Sequence, residues 1–126
     1  MTERTRADRG QATVELALVL PLIVVLLMAL VQAGLLVRDE ILVTHAAREG
    51  ARAAAVDENP EAAEQAARAA AALDPAALTV TVKGRDGPGS RVTVHVTYRR
   101  PARLPLLGRA LGNVTLQASA TMRVER

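Results

Sequence analysis

Leu16 to Val37 reads LALVLPLIVVLLMALVQAGLLV, a run of 22 residues without a charge. Wound as an α-helix at 1.5 Å per residue it spans about 33 Å, enough to cross a hydrocarbon core of about 30 Å. Gln32 and Pro21 are its only interruptions. A proline one and a half turns inside a helix removes a single backbone hydrogen bond, to the carbonyl of Ala17, and a membrane helix absorbs this as a kink near its end. The run therefore predicts a transmembrane helix over 11–37. The residues beyond it, 38–126, are read as a small domain on the far side, and 1–10 as a cytoplasmic leader. Arg4, Arg6 and Arg9 place the short N-terminal tail inside by the excess of positive charge.

Composition limits what that domain can be. The chain has 126 residues, half of them hydrophobic, with no Phe, no Trp and one tyrosine, Tyr98. A core built from Val, Leu and Ala is thin, and a domain under about 100 residues is marginal. The absence of cysteine excludes disulfides, thiolate metal sites and cysteine nucleophiles. The net charge is +3, and Lys83 is the only lysine among 16 basic residues. The arginines interleave with acids, as in Arg38-Asp39-Glu40 and Arg48-Glu49, and no aromatic is placed to stack a base, so a nucleic-acid partner is not expected. His45 and His95 lie on different predicted elements, and no phosphate loop, metal pair or nucleophile motif is present. Neither catalysis, nor a cofactor or metal, nor a small-molecule substrate is expected.

Beyond Val37 the helix is expected to continue to about Val56, since Arg38–Val56 has no proline and a single glycine, Gly50. Small residues recur every four positions at Ala46, Gly50 and Ala54, and beside them at Ala47, Ala51 and Ala55, a stripe that permits close approach of another helix or of a sheet. Ile41, Leu42 and His45 are read as extending its apolar side, with His45 partly buried. Asn59-Pro60-Glu61 is a helix start, with a cap, a proline at the first position and an acid in the first turn. An alanine-rich helix should follow from Glu61 to about Leu73 and stop at Asp74-Pro75.

The last third changes period. Leu78, Val80 and Val82 alternate with Thr79, Thr81 and Lys83. Val92, Val94, Val96 and Tyr98 alternate with Thr93, His95, Thr97 and Arg99. Val114, Leu116, Ala118, Ala120, Met122 and Val124 alternate with polar residues. Three runs of period two predict three half-buried strands, joined at Gly84–Ser90 by a hairpin loop. His95 falls on the polar side. Pro101–Gly112, with four leucines, is read as cover for the open end of the core, with a surface patch used in assembly as the alternative. The fold class expected is membrane-anchored α+β: a long N-terminal transmembrane helix continuing outward, a second Ala-rich helix, and a small three-stranded antiparallel sheet.

Glu15 stands at the head of the apolar run. A carboxylate costs about 2.5–3.5 kcal/mol at the centre of a membrane and less near its surface, so it calls for a partner. Were the chain cut after Gly10, the new α-ammonium of Gln11 would lie one helical turn from Glu15 on the same face. Arg9-Gly10-Gln11-Ala12-Thr13-Val14-Glu15, followed directly by an aliphatic helix, resembles the processing site of type IV prepilin-like proteins. Thr44-His45-Ala46-Ala47-Arg48-Glu49-Gly50-Ala51-Arg52-Ala53-Ala54-Ala55 and Ala118-Ser119-Ala120-Thr121-Met122-Arg123-Val124-Glu125 resemble the TadE-like pseudopilins. The resemblance implies a pilin-like fold and a place in assembly of a tight-adherence, Flp-type pilus. It implies cleavage after Gly10 by a membrane prepilin peptidase, and a Glu15 that guides docking on other pilin or pseudopilin subunits and pilus-assembly proteins. Two further readings remain for the apolar run: an uncleaved anchor for an extracytoplasmic interaction module, and a secretory signal cut after Ala33, where Val31-Gln32-Ala33 offers small residues.

Overall fold

The structure is a computed structural model that describes residues 4–101 and 112–125, with side chains from residue 10 onward. Helix α1 spans Arg4–Val56 and α2 spans Pro60–Ala71. A 3-10 turn at Pro75–Ala77 leads into β1 (Leu78–Lys83), followed by β2 (Arg91–Arg100) and β3 (Val114–Arg123). The expected fold class is observed: a long apolar N-terminal helix, a second helix and a three-stranded antiparallel sheet in the order β1-β2-β3. The chain divides into two compact units, Met1–Leu36 and Val37–Arg126, with α1 contributing to each.

In the first unit, α1 begins at Arg4, earlier than the apolar run. Helix passes through Gly10 without a break and through Pro21 without ending. From Gly10 to Leu36 its side chains are almost all exposed, Leu18 at 74% and Leu22 at 68%. A row of uncovered leucines and valines of this length is not a surface that water tolerates, since each forgoes about 1.5–3 kcal/mol of burial. The helix Gly10–Val56 is long and apolar enough to cross a membrane, and its most apolar window is buried nowhere in the chain itself.

In the second unit the small-residue stripe becomes the core. Val43, Ala46, Ala47, Ala51, Ala54 and Ala55 on α1, and Ala63, Ala67 and Ala71 on α2, are buried together with Leu78, Val92, Val94, Val96, Tyr98 and Val124. The packing closes around Gly50. A Cβ built there would lie 3.1 Å from Val94 Cγ1, 3.2 Å from the Ala63 carbonyl oxygen and 3.2 Å from Ala67 Cβ. Hydrogen alone fits at that point, and this lets α1 touch both α2 and β2. Ile41 and His45 are corrected: both are exposed, and the buried stripe runs through Val43 and Ala47 instead. The helix turns 100° per residue, so positions 41 and 45 share a face that points away from the sheet.

The ends of the elements have local causes. Asn59 accepts a hydrogen bond from Glu61 N at 3.0 Å and caps α2 as its sequence predicts. We expect Asn59→Ala to cost about 1 kcal/mol, read as a drop of several degrees in the melting of the near-ultraviolet circular dichroism of Tyr98, the only aromatic of the chain and a core residue. Helix α2 stops at Ala71, two residues before the expected Leu73, because Ala72 turns into the left-handed region at φ 47° and becomes its C-cap. Leu73 is then free to pack against the core. Asp74 accepts from Ala76 N and caps the 3-10 turn that delivers Leu78 to the sheet.

Strand boundaries agree with the period-two runs to within a residue. The β1–β2 register pairs Val80 with Val96, and β2–β3 pairs Val94 with Ala120, so the apolar residues of all three strands share one face. The Gly84–Ser90 loop is held by Ser90, whose hydroxyl donates to the Gly87 carbonyl at 2.6 Å. Arg85, in the same loop, donates to the carbonyls of Ala54 and Asp57 and so satisfies the end of α1. Most of the Pro101–Gly112 segment, 102–111, lies outside the described residues.

Candidate processing and assembly segment

Gly10, Gln11 and Glu15 all lie on α1 and all are exposed. Among the described residues nothing approaches within 4 Å of where a Gly10 Cβ would stand, and the Gly10–Gln11 bond lies within the continuous helix α1. Gln11 and Glu15 are brought together as their four-residue spacing predicts: Gln11 Nε2 donates to Glu15 Oε1 at 3.5 Å. That is the outer limit of a hydrogen bond, between exposed groups, so it contributes little. Its value lies in the placement. With the Gly10–Gln11 bond intact, it is the neutral side-chain amide of Gln11 that meets the carboxylate.

The aliphatic surface after Glu15 is continuous. Leu16, Leu18, Val19, Leu20, Leu22 and Ile23 are exposed. One carboxylate at the head of such a surface is a polar mark on an otherwise featureless helix. In lipid or in a bundle of helices it sets the only strong electrostatic preference for depth and register along that stretch.

One residue pair escaped the linear reading. Asp39 sits among the interleaved charges Arg38-Asp39-Glu40, yet it is only 8% exposed. Its Oδ2 meets Arg100 Nε, at the end of β2, at 3.0 Å, and both side chains are largely covered. Arg38 reaches the other carboxylate oxygen only at 3.9 Å and is itself exposed. No local signal marks Asp39, because its partner lies on a strand far along the chain. Its place beside the buried Val43, one helical turn further on, is the single hint available in sequence.

A groove opens between the outer end of α1 and the end of β3, lined by Arg48, Arg52, Val56, Gly89, Met122 and Val124. His45 and His95 are exposed and sit on α1 and β2. Among the described residues, no group of three or more His, Asp or Glu side chains could hold a metal ion.

A family model described as TadE-like protein matches residues 10–52. The match begins on Gly10, takes in Gln11, Glu15 and the whole apolar run, and ends inside the small-residue stripe. The C-terminal motif around Ala118–Glu125 falls outside it. No curated protein and no solved structure matches the chain. Over residues 10–52, from Gly10 through the apolar run to the helix that builds the core, this chain is similar to the TadE-like family.

Proposed function

We propose that the protein is a pseudopilin-like component of a Tad, tight-adherence (Flp-type) pilus system. It acts structurally and catalyses nothing. It is a single-pass protein of the cell membrane, its N-terminus cytoplasmic and residues 38–126 extracytoplasmic. A prepilin peptidase removes residues 1–10, and the mature chain assembles with other subunits through its apolar N-terminal helix. The observation that carries this reading is the TadE-like match over a helix whose aliphatic surface is uncovered and whose only acid between Gly10 and Val37 is Glu15.

The mechanism follows from charge and desolvation. Gly10 weakens the helix locally by about 0.5–1 kcal/mol relative to alanine, which eases the unwinding that any peptidase needs at a helical bond. Cleavage converts Gln11 into an α-ammonium. Glu15 then has a cation of full charge to meet, on its own chain or on a neighbour, as helices leave lipid to bundle. A carboxylate that is stable inside the bundle only when so paired selects one register over others.

The mature N-terminus tests the processing step. Mass spectrometry should find Gln11 in cells with the prepilin peptidase and Met1 in cells without it. Met1 in both would indicate an uncut anchor, and Gly34 a secreted domain released after Ala33. The docking step is tested by Glu15→Ala. Losing about 2 kcal/mol of pairing corresponds to roughly thirtyfold weaker docking, so the variant should insert in the membrane normally and lose most surface pili. Normal piliation would rule out the docking role of Glu15.

A further inference from the structure

Among the described residues, strand β3 is an edge that no other strand pairs with on its outer side. It runs ten residues, Val114–Arg123, with a charge only at Arg123, its last position, and with no proline and no glycine. Natural sheets blunt long edges with lysine, proline, bulges or a covering element. The opposite edge, β1, is shorter, ends on Lys83 and packs against α2. The inner side chains of β3 are also less covered than those of the central strand. Val92, Val94 and Val96 of β2 are fully buried, while Leu116, Ala118, Ala120 and Met122 of β3 are only partly so. The groove lined by Arg48, Arg52, Val56 and Met122 borders that side.

The backbone sets which residues face outward. Val124 N donates to Ser90 O at 2.9 Å and Val124 O accepts from Gly89 N at 2.9 Å, so Val124 directs both groups toward the β2 side. Alternation along an antiparallel strand then turns the N–H and C=O of Met122, Ala120, Ala118 and Leu116 the same way, and those of Arg123, Thr121, Ser119, Gln117 and Thr115 to the open edge.

We propose that this edge pairs with β3 of a second copy of the chain, antiparallel and centred on Ser119. Opposite residues in such a pair share a face. With Ser119 facing its own copy, Ala118 meets Ala120, Leu116 meets Met122 and Val114 meets Val124 on the inner side. On the outer side Gln117 meets Thr121 and Thr115 meets Arg123. No like charges oppose each other. The order of sizes also fits a twofold, with small alanines at the centre and larger aliphatics at both ends. The Leu116 side chain of one copy would stand beside Met122 of the other, at the mouth of the groove, and cover the half-buried inner face. A two-stranded join of this kind makes a continuous six-stranded sheet from two three-stranded ones.

The absence of cysteine makes cross-linking a clean test on the full chain in its own membrane, with piliation playing no part in the readout. Ser119→Cys treated with a short thiol cross-linker should give a dimer. Gln117→Cys co-expressed with Thr121→Cys should give a mixed dimer. Gln117→Cys alone should give none, because its copy would lie four residues away along the strand, about 13 Å. Thr79→Cys, on the outer face of β1, should give none either. All four positions are exposed and carry small or flexible polar side chains, and the Tyr98 circular dichroism of each variant should match the parent. A Ser119→Cys chain that stays monomeric overturns the proposal. So does equal cross-linking at Thr79→Cys, which would report random collision in the membrane, or cross-linking of Ser119→Cys to a different protein in place of a second copy.

Discussion

Gly50→Val is expected to unfold the Val37–Arg126 unit at temperatures where the parent is native, while leaving the membrane segment helical. The valine Cβ would lie 3.1–3.2 Å from Val94 Cγ1, the Ala63 carbonyl and Ala67 Cβ, inside ordinary contact distance on all three sides. One of the three is backbone, so no rotamer change relieves it, and α2 must move away from α1. Its two further methyls then have no space. Overpacking of this kind costs about 3 kcal/mol, at the upper end of the usual range. The better helix propensity of a residue with a side chain returns less than 1 kcal/mol. A core made largely of alanine and valine has little reserve, since a buried methyl contributes far less than a buried leucine or phenylalanine. The expected result is a fall in midpoint of about 10 °C or more, read from the near-ultraviolet signal of Tyr98, with the far-ultraviolet signal of the apolar helix retained. Gly50→Ala separates sterics from propensity. It meets the same three atoms but adds only one methyl, and the gain of about 1 kcal/mol from replacing a helical glycine offsets part of the cost. A Gly50→Val chain as stable as the parent would show that the contact of the two helices is looser than these distances.

The second large effect is expected at Asp39. Removing its carboxylate with Asp39→Ala leaves the Arg100 guanidinium covered and without its partner at 3.0 Å. Breaking a buried pair from one side costs about 3–5 kcal/mol, and the remaining exposure of both groups brings the expectation to about 2–3 kcal/mol. Removing both charges should cost less. Asp39→Leu with Arg100→Met replaces the pair with apolar groups of similar bulk and is expected to recover most of the loss, because neither charge is then left desolvated. Urea melts of the parent, Asp39→Leu, Arg100→Met and the double variant give the coupling energy directly. A double variant no better than the single would mean that Asp39 acts through something other than Arg100. Arg38, exposed and 3.9 Å away, cannot substitute.

Both residues show how far a linear reading reaches. The stripe of small residues at Ala46, Gly50 and Ala54 is visible in sequence because a helix repeats every 3.6 residues, and so is the fact that it must face something close. What it faces is invisible there. That Gly50 meets Val94 on one side and Ala67 on the other depends on where α2 and β2 come to rest. The strands were legible to within a residue because alternation is strict and one face of the sheet is covered. Ile41 and His45 were placed on the wrong side because the helix is apolar on more than one face near that point, and hydrophobicity alone does not rank two apolar faces. Asp39 stands among charged neighbours in sequence and is buried all the same, because burial is decided by neighbours in space.

Gly10, Gln11 and Glu15 belong to the other kind. Their relation needs nothing beyond the helix they share, since a four-residue spacing brings Gln11 and Glu15 together on any α-helix, and the structure places them so. The sequence by itself determined the long apolar helix, the capped second helix, the three alternating strands and the polar mark at the head of the apolar run, because each rests on contacts within a few residues or on a period the backbone imposes. Only the tertiary structure decided which face of α1 is buried, that Asp39 meets Arg100, and that β3, among the described residues, pairs on one side alone. Each of these joins residues far apart in the chain, and no local period carries that information.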